Sequence, residues 1–226
     1  MYLARRCSQK KQSQKLLKLC LSHCSSSKNL IYASSSKLAE VHLQQGFDLT
    51  TDFITEKEEE TILHEINHKL MRRKYNAGHW DGAIVSYREM EKMDWNPANS
   101  AIMKRFEKHV FKSEEECLSA THVLDLHEDG YIKPHIDSIK FCGATVSGLS
   151  ILSDAVMRFK LDENNYSDVL IPRFSVYTMS NDIRYKYTHE ILPNIASISG
   201  RDVKRTRRIT VMKRSNESCH NPIYSE

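Results

Sequence analysis

The sequence predicts an α+β protein, mostly β with N-terminal helices, whose strands form a double-stranded β-helix, the jelly-roll or cupin-like barrel. Three observations predict it. Helical signals are confined to the first part of the chain. Short strand-like runs bounded by turn residues then follow one another to the end. One length of about 175 residues, 40–216, suits a single core within the 226 of the chain. No internal repeat interrupts it, and no apolar run approaches the length that spans a bilayer.

In order, residues 1–39 come first. They hold eight Lys or Arg, nine Ser and no acidic residue, with Leu16, Leu17, Leu19 and Leu21 among the basic positions. This acid-poor, Ser-rich amphipathic composition predicts a mitochondrial transit peptide and hence the matrix as destination. A disordered basic tail is the alternative. The whole chain carries +4; without this segment 25 basic residues face 29 acidic ones, a net −4. Such a mildly acidic body is a poor general binder of nucleic acid, whose sequence-independent affinity comes from neutralised phosphates.

A helix is expected over 56–73. Thr55 and Glu58 form a capping box, and Ile62, Leu63, Ile66 and Leu70 make the apolar stripe. A second helix, over about 97–111, starts at Pro97. Strands follow at 121–127, 131–139, 145–152, 155–161, 168–171, 174–179, 183–191 and 207–213, with Asp129-Gly130 marking a tight hairpin turn. Residues 217–226 read as a loose polar tail.

The first helix carries His64-Glu-Ile-Asn-His68, which matches the HExxH pattern of zinc proteases. At 100° per residue both histidines fall opposite the apolar stripe, among charged residues, so a solvated face is expected there. Cys7, Cys20 and Cys24 lie in the N-terminal segment; Cys117, Cys142 and Cys219 are an odd, widely spaced remainder that reads as reduced thiols. Cys20-Leu-Ser-His-Cys24 has no second half-site for zinc.

The chemistry concentrates later. His135 and Asp137 stand two apart in a strand-like run, so they share one face and can grip one ion. His189 follows. Two imidazoles and one carboxylate leave positions open for a bidentate 2-oxo acid and dioxygen, which suits mononuclear iron(II), whereas a closed structural zinc site leaves none. A His-x-Asp triplet alone says little: with 11 His in the chain a second, His79-Trp80-Asp81, occurs outside any clear strand. Downstream, alternation puts Arg208, Thr210, Met212 and Arg214 on one face of a strand and Ile209, Val211 and Lys213 on the other. That face is either an exposed cationic edge or a row pointing into the barrel, where Arg208 would need an anion to be buried. The run Arg201, Lys204, Arg205, Arg207, Arg208, Lys213 and Arg214 is likewise either a small phosphate patch or a solvated strand edge.

Taken together, His135-x-Asp137, His189 and Arg208-x5-Arg214 resemble the AlkB-type iron(II)/2-oxoglutarate dioxygenases. The stretches GYIKPHIDSIKFCGATVSGLS, RYKYTHEIL and RRITVMKRS are most similar to the mitochondrial branch of that family, over roughly residues 42–216. The resemblance implies His135, Asp137 and His189 as metal ligands. It implies Tyr177 and Arg208 on the co-substrate carboxylate, with Arg214 completing the pocket. Iron(II), 2-oxoglutarate and dioxygen are the implied cofactors, with ascorbate as reductant. Two departures stand out. Nucleic-acid-repairing members carry Asn-x-Tyr before the first metal histidine, and here Asp125-Leu-His127 occupies that region. They also carry an aromatic and basic lid that receives a flipped base, and between Lys74 and Thr121 only Trp80, Tyr87 and Trp95 are found.

The expected function is therefore a monomeric dioxygenase hydroxylating a protein or small-molecule substrate, with an implied role in fatty-acid metabolism and regulated necrosis. A mitochondrial RNA or DNA N-demethylase and a non-catalytic interaction domain are the alternatives.

Overall fold

In the computed structural model, which describes residues 31–78, 82–113, 116–219 and 222–224, strands outnumber helices and one curled antiparallel sheet dominates. Strand β1 (Tyr32–Ser34) and helix α1 (Lys37–Gly46, capped by the Ser36 hydroxyl) lead into β2 (Phe47–Thr50). Helix α2 (Glu56–Leu70) starts at the expected Thr55/Glu58 capping box, and α3 (Pro97–Val110) has Pro in its first turn. Between them run β3 (Asn76–Gly78) and β4 (Ile84–Lys92). Then come β5 (Thr121–His135), β6 (Val146–Ile151), β7 (Ala155–Lys160), β8 (Tyr166–Ile171) and β9 (Val176–Met179). The short helix α4 (Asn181–Tyr185), β10 (Thr188–Ile191), the hairpin β11 (Ile195–Ile198) and β12 (Arg201–Lys204), and β13 (Arg208–Arg214) complete the order.

The sheet runs β1-β8-β7-β10-β5-β13-β6-β9-β2, with β4 also against β5. Its long strand β5 does the bending: the first half pairs with β13 and the second with β10, so the sheet folds over itself into a half-barrel. Alternation decides which residues line the inside. Leu124, Leu126, Ile132, Met157, Phe159, Ile171, Tyr177 and Ile191 fill the concave core. Val123, Leu149, Ile151, Val176, Ile209 and Val211, one residue out of phase, pack outward against α2 and α3. The β11–β12 hairpin covers the opposite outer face through Ile198 and Val203 on Val156 and Leu170. Among the described residues no helix is long and apolar enough to cross a membrane.

Several expectations need correction. Asp129-Gly130 forms no hairpin turn. Residues 127–130 bulge out of one continuous strand, Leu126 pairing with Tyr87 and Tyr131 with Val85. Arg205 holds the bulge by donating to the carbonyls of His127, Glu128 and Gly130. A Cβ on Gly130 would stand 2.7 Å from the Ser86 and Val85 carbonyls, so the glycine serves close approach. The strand expected over 183–191 is helix up to Tyr185, because Ser180-Asn181-Asp182 is a helix start whose fourth-residue bonds (Arg184 N to Ser180 O, Lys186 N to Asp182 O) outcompete the apparent alternation of Ile183, Tyr185 and Tyr187. Strand β4 was missed because Arg88, Glu89 and Glu91 disguise its period. The folded body takes in residues 32–39, since β1 pairs with β8 and Ser36 caps α1, so the domain starts before residue 40. The tail is tied down too: the Tyr224 ring stacks on Tyr185 at 4.5 Å and its hydroxyl donates to Asp182. Residues 1–30, with the bulk of the expected transit segment and Cys7, Cys20 and Cys24, and the triplet at 79–81, lie outside the described residues.

Behind the barrel wall, Asp125 is fully buried and accepts from Arg88 Nε at 2.7 Å, Arg207 Nη2 at 2.8 Å and Tyr75 at 3.2 Å. One carboxylate thus holds two guanidinium groups together. Asp125→Asn removes the charge that both cations share and is expected to destabilise the fold by about 3 kcal/mol, read as a lower urea midpoint at unchanged slope.

Candidate metal and co-substrate site

His135 ends β5, and the ladder sets its ring directly across from His189 on β10, with ring centroids 4.2 Å apart. Asp137 lies two residues past the strand end, its Oδ1 3.6 Å from His135 Nε2. Ligand atoms of His135, Asp137 and His189 all fall within 4.8 Å of one another. His135 Nδ1 lies 2.9 Å from the Lys133 carbonyl, which fixes the ring and leaves Nε2 as the ligand atom. Burial, and then the neighbouring His135, push His189 down to about 3, so its imidazole is neutral at physiological pH. For Asp137, burial works against ionisation, but the His135 hydrogen bond and the surrounding basic groups, Arg214 among them, outweigh it and hold the carboxyl well below the usual range. Two imidazoles and one carboxylate constitute a donor set that fits a single iron(II) with positions left open.

Deeper in the barrel the row predicted on β13 points inward. Arg208 is 2% exposed; its Nε donates to Ser150 Oγ at 3.1 Å, and its Nη2 has no partner. Tyr177, on β9, lies beside it. Burial lowers the Arg208 pKa from its ordinary value, and Tyr177 opposes this only in part. Among the described residues no carboxylate pairs with this cation, so the barrel floor holds an unmatched positive charge, the complement of an anion such as a carboxylate. Arg214, at the mouth, reaches His122 Nδ1 at 3.3 Å, and His122 in turn meets Glu89 at 2.8 Å. A cavity of about 300 Å³ opens here, lined by Glu91, His122, Asp137, Phe141, Cys142 and Arg214, among others.

No family model matches the chain. A curated cattle protein, "alpha-ketoglutarate-dependent dioxygenase alkB homolog 7, mitochondrial", is 43% identical over 176 residues, 76% of this chain and 80% of that protein. The chain belongs to the mitochondrial alkB homolog 7 family of dioxygenases. Alpha-ketoglutarate, which is 2-oxoglutarate, iron(II) and dioxygen are therefore its cofactors. Two solved structures share the fold: OsALKBH1 (TM-score 0.52, 16% identity, 75% of this chain and 97% of that one) and a prolyl hydroxylase from Trichoplax adhaerens in complex with a hypoxia inducible factor peptide fragment (TM-score 0.54, 9% identity, 85% and 94%).

Within this alkB homolog 7 relative the six expected site residues gather on the concave side, His135, Asp137, His189 and Arg214 toward the mouth and Tyr177 and Arg208 at the floor. Asp125 and His127 do not: Asp125 faces the outer cation pair, and His127 packs edge-on against Tyr75 at 4.9 Å. The inward positions of that region are Leu124 and Leu126. His64 and His68 are exposed on α2, as the helical phase requires, with His68 3.0 Å from Arg72. The basic run breaks up as well. Arg205 and Lys213 are buried on backbone carbonyls, and Arg207 is paired to Asp125. Of that run Arg201 and Lys204 remain exposed.

Gly148 and Ser150 escaped the sequence reading, although a lone glycine in an apolar strand is a signal of close approach. A Cβ on Gly148 would stand 2.5 Å from the Tyr177 hydroxyl and 2.7 Å from Thr210 Cγ2. Gly148→Ala is expected to push the Tyr177 ring off the floor and weaken 2-oxoglutarate binding about tenfold, the loss of one charge-assisted hydrogen bond. Calorimetric titration of the co-substrate checks this, with metal affinity unchanged as the control.

Proposed function

We propose that the chain is an iron(II)- and 2-oxoglutarate-dependent hydroxylase of a protein or small-molecule substrate in the mitochondrial matrix, delivered by a transit peptide ending before Tyr32, with a role in fatty-acid metabolism and regulated necrosis. The observation that carries the catalytic reading is the unmatched Arg208 guanidinium at the floor of the barrel whose mouth holds His135, Asp137 and His189.

Iron(II), when bound by His135, Asp137 and His189, supplies dioxygen activation coupled to decarboxylation of 2-oxoglutarate to succinate. The chain's own residues do the placing. Arg208 takes the distal carboxylate in its planar fork, with Tyr177 donating beside it, and this fixes the depth of the co-substrate. Arg214 adds positive charge near Asp137. Leu124, Leu126 and Met212 line the space between with apolar surface that excludes water. The mouth cavity holds the C–H bond to be hydroxylated. Among the described residues its lining contributes one phenyl ring, Phe141, and the His122 imidazole, which is held by Glu89 and Arg214, where stacking a flipped base between side chains asks for free aromatic faces. The internally engaged basic run also leaves little to bind phosphates, and both points favour a protein or small molecule over nucleic acid.

The test uses the full chain with iron(II), 2-oxoglutarate and ascorbate. Succinate formation is followed alone, with matrix protein and metabolite fractions, and with N-methylated RNA and DNA oligomers. Stimulation by a protein or metabolite fraction is expected. Stimulation by a methylated oligomer, with matching formaldehyde, would assign the site to demethylation.

A further inference from the structure

Asp137 is the one member of the triad that no strand ladder holds. His135 and His189 face each other across paired strands, whereas Asp137 begins the loop 137–143 beyond the end of β5. The far end of that loop is fixed by Gly143 N donating to the Ser215 carbonyl at 2.9 Å, and a Cβ on Gly143 would collide with the Asn216 carbonyl. The near end is held by a side chain from elsewhere. Arg184, 2% exposed on α4, donates from Nη1 to the Asp137 carbonyl at 2.9 Å and from Nη2 to the Cys142 carbonyl at 3.2 Å and the Ser138 carbonyl at 3.4 Å. Its Nε reaches the Gly143 carbonyl at 3.3 Å, and Nη2 also meets Cys142 Sγ at 3.1 Å. That thiol donates onward to the Ser138 carbonyl. The guanidinium is therefore spent on backbone oxygens at both ends of one loop.

Its own mounting is rigid. Ser180 N donates to the Gly46 carbonyl at 2.8 Å, Asn181 Nδ2 donates to the Gln45 carbonyl at 2.9 Å, and a Cβ on Gly46 would meet the Ser180 carbonyl at 2.6 Å. Helix α4 is thereby locked to the end of α1, and Tyr224 stacks on Tyr185 from the tail.

We infer that Arg184 is a positioning residue that clasps the loop 137–143 and presents the Asp137 carboxylate to the metal. This rests on Asp137 being a metal ligand. Five donors on a planar fork are needed to hold carbonyls from both loop ends at once; a lysine ammonium can reach only part of the set. Without the clasp Asp137 samples orientations in which its carboxylate leaves the ion, while Arg208 and Tyr177, on other strands, keep their hold on the co-substrate.

The experiment titrates Mn(II) into the full chain, followed by its EPR signal, for wild type, Arg184→Met, Arg184→Lys and Asp137→Ala, with Tm recorded for each and KM for 2-oxoglutarate beside kcat where iron supports turnover. Loss of an orienting partner of a ligand is expected to weaken Mn(II) binding about 10- to 100-fold in Arg184→Met, with an altered bound-Mn(II) spectrum, an intermediate value in Arg184→Lys, and a fall in kcat larger than any rise in KM. Wild-type Mn(II) affinity and spectrum in a folded Arg184→Met, whatever its Tm, would overturn the inference; should that variant not fold, unchanged affinity in Arg184→Lys would do so. If the wild type binds Mn(II) no better than Asp137→Ala, the metal assignment itself fails and this inference with it.

Discussion

Arg208→Met is expected to make the protein without co-substrate more stable and at the same time to remove most of its affinity for 2-oxoglutarate. The two effects have one cause. Arg208 is buried, its Nη2 lacks a partner, and no described carboxylate meets it, so folding desolvates a cation that Ser150 and Tyr177 compensate only in part. Methionine keeps the volume and removes the charge, and replacing buried charge by apolar groups stabilises by roughly 1–4 kcal/mol. At about 2–4 °C per kcal/mol for a chain of this size, Tm should rise by several degrees. The co-substrate loses its matched cation, at about 2–5 kcal/mol, or roughly 30-fold to a few thousandfold in Kd. Scanning calorimetry and titration calorimetry on one preparation read both. A variant that loses stability would mean that Arg208 is satisfied inside the folded chain and is no anion receptor.

Asp137→Ala is expected to abolish succinate formation and weaken divalent metal binding by on the order of a hundredfold or more, since loss of a ligand exceeds the 10- to 100-fold typical of an orienting partner. Two imidazoles alone form a weak and mispositioned site. A second signature separates this from misfolding. In the folded protein Asp137 titrates below its ordinary 3.8, so the ionised carboxylate contributes stability that is present above that value and is lost as pH falls through the folded one. His189, pushed down from 6.5 to about 3, acts in the same direction: the unfolded chain takes up a proton below 6.5 that the folded chain refuses, so stability falls with acidification across that window. Metal-free wild type should therefore lose more stability on acidification than metal-free Asp137→Ala. Equal acid limbs would remove the charge assignments at the site.

Much of the site was legible because strand alternation is strict. Once His135 and Asp137 are two apart and Arg208, Thr210, Met212 and Arg214 share a face, a barrel can bury both sets, and the structure puts Arg208 and Arg214 on the inside. The phase of α2 likewise put His64 and His68 in solvent, which disposed of the protease motif before any coordinates. What one strand could not say is which of its faces is the inside. That choice rests on partners distant in sequence: β13 turns Arg208 inward because Ile209 and Val211 meet the apolar faces of α2 and α3 on the other side.

At Asp129-Gly130 and at Asp125 a remote side chain overrode a local signal. Asp129-Gly130 carries the chemistry of a hairpin, yet Arg205, from the far end of the chain, supplies the donors that turn it into a bulge. Asp125, a departure from the family pattern near the co-substrate, answers to Arg88 and Arg207 behind the wall. Arg184 carried no signal at all, because its role is to satisfy carbonyls of a loop some forty residues earlier, and backbone oxygens leave no trace in residue identity.

The sequence by itself determined the period of α2, α3 and most of the barrel strands, the order of the candidate ligand and anchor residues, and the charge balance of the body, because these depend on neighbours within a turn or a strand. The tertiary structure alone decided which buried cations are matched and which is left for a ligand. Arg207 and Lys213 meet carboxylates and Arg205 several backbone carbonyls, whereas Arg208 has the Ser150 hydroxyl and Tyr177 beside it and keeps Nη2 unpartnered, and that difference is set by partners up to about 140 residues away, beyond the reach of any local pattern.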